Sequence, residues 1–178
     1  MRLIFAGVAA ALLVCVIDAS PATAHWDFTR WGMTVDEVRA ASANRPGMDL
    51  DPDAAIIAGM GIISGTYKTD DFLFRISFMF GSDRDRETRL MLVGLQIVDA
   101  ENDKVLPWLK EKYGNHSYVV NRTPDRKGCH DRTLVWYRDD GEVVAASERL
   151  CASKPSRWEM ISVASKDAPI DRPGQPPQ

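Results

Sequence analysis

The chain has 178 residues, with 22 Lys and Arg against 25 Asp and Glu, for a formal net charge of −3. Hydrophobic residues make up 45%, with 12 Gly, 10 Pro and 3 Cys, a balance that excludes a collagen-like, coiled-coil or wholly disordered chain. A slightly acidic chain also lacks the strongly basic footprint of a nucleic-acid binder, and the length suits one compact domain, or two small subdomains.

Residues 1–24 read as a signal peptide. Arg2 gives a positive start, Leu3 to Ile17 is an apolar run interrupted by Gly7, and Pro21-Ala22-Thr23-Ala24 supplies an A-x-A cleavage site. A membrane anchor needs about 20 apolar residues, and Asp18 and Pro21 close this run too early. Cys15 follows Val14 rather than a small residue, so it reads as apolar filler in the leader and not as a lipid-attachment site. Cleavage leaves His25 at the new N-terminus. No later run is long and apolar enough to span a membrane, so the mature chain is expected to be exported, periplasmic or secreted, with no transmembrane segment.

The first element is a helix starting at Thr34. Thr34 caps it, Glu37 reaches back to the cap's own N–H, and Met33 and Val38 sit where a hydrophobic staple packs. Asp36 and Glu37 complement the positive end of the helix dipole, and Pro46-Gly47 ends the element. Residues 44–55 read as a loop. The segment from Ile56 to Tyr67, with Gly59, Gly61 and Gly65, reads as a strand in which glycines admit a closely approaching backbone or side chain. Gly59-Met60-Gly61 is not a phosphate loop, because no Lys-Ser/Thr follows and the next Gly is wrongly spaced.

From Phe72 to Phe80, aromatic and aliphatic residues alternate with period two, which predicts a strand. Gly81 to Glu87 is a charged turn, and Leu90 to Val98 forms the next strand, with Met91, Val93, Leu95 and Ile97 on one face. Val105, Leu106, Leu109 and Tyr113 fall at helical spacing in a second helix over Asp103–Tyr113 that Gly114 stops. Pro107 fits that helix only in its first turn. Tyr118 to Ala164 is strand-rich, and residues 169–178 form a Pro-rich tail expected to be disordered. The expected fold class is α+β: residues 25–168 built as two helix-plus-antiparallel-sheet halves in tandem, 25–100 and 101–168.

Arg132–Arg138 and Glu142–Leu150 flank Asp139-Asp140-Gly141, and two turns compete there. A two-residue loop sets Arg132 opposite Arg149. A three-residue loop, with Gly141 in the left-handed region, sets Arg138 opposite Glu142, Arg132 opposite Glu148 and Asp131 opposite Arg149. Each favourable cross-strand pair contributes about 0.2–1 kcal/mol and opposed like charges cost as much, so the second register is favoured. It also places Cys129 opposite Cys151, the two cysteines left after cleavage, and predicts a disulfide that closes the hairpin and stabilises it by about 3 kcal/mol. A metal site there would need more soft ligands than the adjacent His130 supplies.

The remaining candidates for chemistry are few. His25 joins an N-terminal amine to an imidazole and, with His116 or His130 as a third ligand, resembles the copper brace of lytic polysaccharide monooxygenases and some periplasmic copper carriers. Copper is therefore the cofactor alternative, and His25 the residue for a small-ligand or copper-binding reading. Arg122, Arg126, Lys127, His130 and Arg132 form a locally basic loop, read as a solvated loop or as a site for an anionic partner. Trp26, Trp31, Trp108, Trp136 and Trp158 fit core packing better than an aromatic binding face. There is no G-x-S-x-G, and no carboxylate pair stands at a diagnostic spacing, so an unrecognised hydrolase ranks third.

Trp31-Gly32-Met33-Thr34-Val35-Asp36-Glu37-Val38 resembles the W-G-M-[S/T]-x-x-E-V opening of a group of small secreted bacterial proteins. That pattern continues with a strand block and a helix ending in Leu-x-x-x-Tyr-Gly, which Leu109 to Gly114 matches, and a strand carrying Trp136. The architecture is similar to the helix-plus-antiparallel-sheet modules of the outer-membrane assembly lipoprotein and the β-lactamase inhibitor protein. Those modules bind proteins and catalyse nothing. The resemblance implies a non-catalytic interaction module with another envelope protein as partner, and carries over no catalytic or ligand residue.

Overall fold

Thr34 opens the first helix as its side chain requires. In the computed structural model, which describes residues 26–53, 55–57, 60–82 and 88–168, α1 spans Val35–Ser42. The Glu37 N–H donates to Thr34 Oγ1 at 3.3 Å, and the Thr34 N–H donates to Glu37 Oε2 at 2.8 Å. These hydrogen bonds hold the Glu37 carboxyl below its usual range. The leader 1–24, His25, most of the 81–87 turn and the tail 169–178 lie outside the described residues.

Among the described residues nine strands follow: β1 Met48–Leu50, β2 Ala55–Ile57, β3 Met60–Lys68, β4 Phe72–Ser82, β5 Thr88–Ala100, β6 Tyr118–Asn121, β7 Cys129–Tyr137, β8 Val143–Cys151 and β9 Lys154–Ala164. The second helix, α2, spans Asn102–Tyr113 between β5 and β6. All nine strands belong to one antiparallel sheet ordered β1-β3-β4-β5-β9-β8-β7-β6, with β2 also pairing β3. The strands of the two expected halves thus do not form separate small sheets. Pairing of β5 with β9, Leu95 opposite Ile161 and Val93 opposite Val163, joins them.

Three local expectations need correction. Part of the 44–55 loop is strand β1, which lies against β3 with Leu50 opposite Gly65. A side chain at Gly65 would run into the backbone of Asp49 and Leu50, so the glycine admits that approach. In β5, Leu92 pairs with Met79 and Leu90 with Phe80, leaving Met91 as the extra residue of a bulge. Leu90, not Met91, therefore joins Val93, Leu95 and Ile97 in the core. Pro107 lies beyond the first turn of α2, where the helix forgoes one backbone hydrogen bond and is held by the packing of Trp108 and Leu109.

One face of the sheet carries the core. Phe74, Ile76, Phe78 and Phe80 of β4 meet Val93 and Leu95 of β5, then Ile161 and Val163 of β9, Val144 and Ala146 of β8, and Leu134 and Trp136 of β7. Val38 of α1 and Val105 and Leu109 of α2 pack into the same cluster, so both helices cover this face. Burying each large aliphatic or aromatic side chain contributes about 1.5–3 kcal/mol. The segment before α1 joins them: Trp26 is buried, and the Gly32 N–H and Met33 carbonyl hydrogen-bond with the backbone of Leu90.

The hairpin β7–β8 takes the three-residue turn. Gly141 has φ +83°, the Arg138 N–H donates to the Glu142 carbonyl at 3.0 Å, and Cys129 stands opposite Cys151. Their sulfurs are bonded. Arg132 pairs with Glu148 and Arg149 with Asp131, the ion pairs that favoured this register.

Candidate functional site

The other face of the sheet has no helix packed on it among the described residues. Strand register sorts its side chains into cross-strand rows. An apolar row runs through Ile62, Met79, Leu92, Ala164 and Val143. A row of small residues follows, Ser64, Ser77, Gly94, Ser162 and Ala145, and continues to Val135 and Tyr118. The next row is polar: Thr66, Arg75, Gln96, Met160, Ser147 and Thr133. Side chains in the middle row are too short to shield the strands beneath, so that row is low between two taller ones. Met160 and Tyr118 project from the face, at 46% and 44% exposure.

Past the polar row, Arg122 donates its backbone N–H to the Asp131 carbonyl, Asp131 faces Arg149, and Arg149 faces Arg157. A bulge between Ser147 and Glu148 makes Glu159 the extra residue of β9, which sends Trp158 into the core and leaves Arg157 exposed beside Arg149. Two opposed arginines are repulsive unless one is neutralised. Arg149 is, by Asp125 at 2.6 Å and Asp131 at 3.1 Å. Backbone N–H groups of Cys129 and Lys127 donate to Asp125 and, with Arg149, hold its carboxyl below the usual range.

The polar row and the residues past it line a depression of about 480 Å³, made by Gln96, Ile97, Arg122, Asp131, Thr133, Ser147, Arg157, Glu159 and Met160. The Thr133 and Ser147 hydroxyls hydrogen-bond each other at 3.0 Å, not an imidazole. The lining offers guanidinium, amide and hydroxyl donors beside a thioether.

The basic loop is divided by the fold. Arg132 turns to the core side and is consumed by Glu148, whose side chain is 5% exposed, whereas Arg122 reaches the depression. His130 is half-buried in β7, and His116 stands edge-on to Trp136 with ring centres 6.0 Å apart. The six residues from His130 to Trp136 span about 20 Å of strand, so the two imidazoles cannot serve one metal together. No group of three His, Cys, Asp or Glu suited to a metal occurs among the described residues, and His25 lies outside them. Trp26, Trp136 and Trp158 are buried, and Trp31 and Trp108 pack against the core partly buried.

A second polar cluster lies on the helix side. Glu142, at the end of the hairpin turn, is 3% exposed with Arg138 Nε at 3.4 Å. Burial, helped by the nearby Asp140 charge, pushes its carboxyl up to about 7 against the opposing pull of Arg138, Trp31 and Lys112. Lys112 is exposed as a whole, yet its ammonium lies 5.3–5.6 Å from the ring centres of Trp108, Trp26 and Tyr113. Desolvation among those rings lowers its pKa. Burial likewise raises the Tyr113 phenol. The cluster ties the N-terminal segment, the end of α2 and the hairpin turn together.

Sequence reasoning did not find Gln96, Arg157, Glu159, Met160 or Ser162 as neighbours of Arg122. Their juxtaposition depends on β9 lying between β5 and β8, which no local pattern encodes. Comparison of the chain with family models, with curated proteins and with solved structures gives no match.

Proposed function

We propose that this is an exported, non-catalytic protein-binding module that receives its partner, another envelope protein, on the helix-free face of the sheet. The observation that carries the reading is the low row of Ser64, Ser77, Gly94, Ser162 and Ala145 between an apolar and a polar row. Such a trough admits an apposed side chain or segment, and the exposed Met160 and Tyr118 beside the polar row match the mixed anatomy of a protein interface. Export is supported by the 1–24 leader pattern and by the Cys129–Cys151 bond, which belongs to an oxidising compartment. Two halves in tandem are supported by the sheet order: each helix precedes its own strands, and the order runs outward from the β5–β9 seam to β1 on one side and β6 on the other.

The test is affinity capture from periplasm with mature residues 25–178, alongside Ser162→Arg, which fills the trough, and Glu111→Arg on the exposed side of α2. A partner captured stoichiometrically by the parent and by Glu111→Arg, and lost with Ser162→Arg at unchanged melting temperature, is the expected outcome. Equal capture by all three proteins refutes the reading.

A further inference from the structure

We propose, resting on the reading of the sheet face as a protein-binding surface, that the depression beside Arg122 and Arg157 receives a carboxylate side chain from an acidic segment of the partner. Arg122 is exposed at the end of β6 and Arg157 at the bulge of β9, and both line the same depression from opposite sides of the Asp131–Arg149 pair. Arg149 is occupied by Asp125 and Asp131, so these two acids do not compete for the other guanidinium groups. Arg122 and Arg157 have no carboxylate partner among the described residues.

Charge at this corner runs against that of the whole chain. The chain is formally −3, yet Arg122, Arg126, Lys127, Arg149, Lys154 and Arg157 gather at this end of β6–β9, opposed by Asp125, Asp131, Glu159 and, beside Arg157, Asp99. The local excess of cations favours an anion, and the guanidinium fork matches the planar geometry of a carboxylate. A compact dianion such as phosphate has nothing to set against the amide, hydroxyl and thioether part of this lining. A peptide suits the remainder: Gln96, Thr133 and Ser147 supply donors and acceptors for its backbone, and Met160 an adaptable apolar contact.

The test uses the mature chain with acetyl-tetraglutamate amide as probe and inorganic phosphate at equal ionic strength as the second arm, read by the Arg Nε–Hε resonances in nuclear magnetic resonance titrations. Saturable shifts of Arg122 and Arg157 with the peptide are expected in the parent and, unchanged, in Lys110→Gln on α2, while the affinity read at the backbone amides of Thr133 and Ser147 falls at least about tenfold in Arg122→Gln/Arg157→Gln. No saturation below 10 mM (roughly the weak limit of a useful contact), or equal binding by the double variant, overturns the proposal. Tighter phosphate binding at the same two arginines overturns it in favour of a phosphate ligand. If the captured partner is lost with Ser162→Arg but retained by Arg122→Gln/Arg157→Gln, the carboxylate site fails while the binding-face reading stands. Indifference of capture to both variants removes both.

Discussion

Replacing Glu142 with Gln should make the protein more stable, by an amount that grows as the pH rises above about 4.5 and levels off past about 7. Glu142 is 3% exposed and its carboxyl titrates near 7 in the folded chain against a reference of 4.5, burial being the main cause. A folded-state pKa raised above the unfolded value means that folding takes up a proton as the pH rises past 4.5. The stability held by the neutral carboxyl is complete below that point and is lost progressively as pH climbs through 7. At about 1.4 kcal/mol per pH unit, the interval from 4.5 to about 7 amounts to about 3 kcal/mol. Gln keeps the shape and cannot ionise, so Glu142→Gln should match the parent near pH 4 (within about 1 kcal/mol) and exceed it by about 3 kcal/mol near pH 8.5. Thermal unfolding followed by circular dichroism should show a gap of roughly 6–12 °C at the higher pH. A gap that does not change with pH, or a Gln variant less stable than the parent at high pH, would refute the argument that desolvation outweighs the Arg138 ion pair.

Three further perturbations probe the frame. Cys129→Ser combined with Cys151→Ser should cost about 3 kcal/mol in denaturant unfolding, since the bond closes a loop with a sequence separation of 22. Ile161→Ala, at the pairing of β9 with β5, should cost about 2–5 kcal/mol, and one cooperative transition should persist because the core is shared across the seam. Thr34→Ala should lower stability by about 1 kcal/mol through loss of the cap, and amide exchange should rise at Glu37, whose N–H loses its acceptor.

Local signals carried much of this structure. The capping box at Thr34 and Glu37, the alternation from Phe72 to Phe80 and the Gly114 stop are short-range patterns, and each appears where its chemistry places it. The hairpin register was legible for the same reason: pairing charges and cysteines across a three-residue turn is decided within about two dozen residues. What failed was non-local. Met91 reads as a core residue by simple alternation, but the bulge opposite Met79 and Phe80 changes the phase, and a bulge leaves no mark in hydrophobicity. Which of Trp158 and Arg157 faces the core is set by another such bulge. The seam between β5 and β9 joins residues more than 60 positions apart, so the grouping of Gln96 with Arg122 and Arg157 had no sequence signature. Glu142 likewise reads as the cross-strand partner of Arg138, and nothing in the local sequence marks its burial beside Trp31 and Lys112.

The position of β9 has a consequence for how the molecule is assembled. It is the last of the described strands to be synthesised, yet it stands at the middle of the sheet, and β5 lacks its second neighbour until β9 arrives. During translation the earlier strands therefore hold a long apolar edge, rich in Leu and Val, with nothing to pair it. Closure of a sheet through so distant a contact carries a large loop entropy, which places folding toward the slow end of the range for domains of this size. A polypeptide delayed in this way keeps an apolar strand edge open to pairing with other chains until its final strand is delivered.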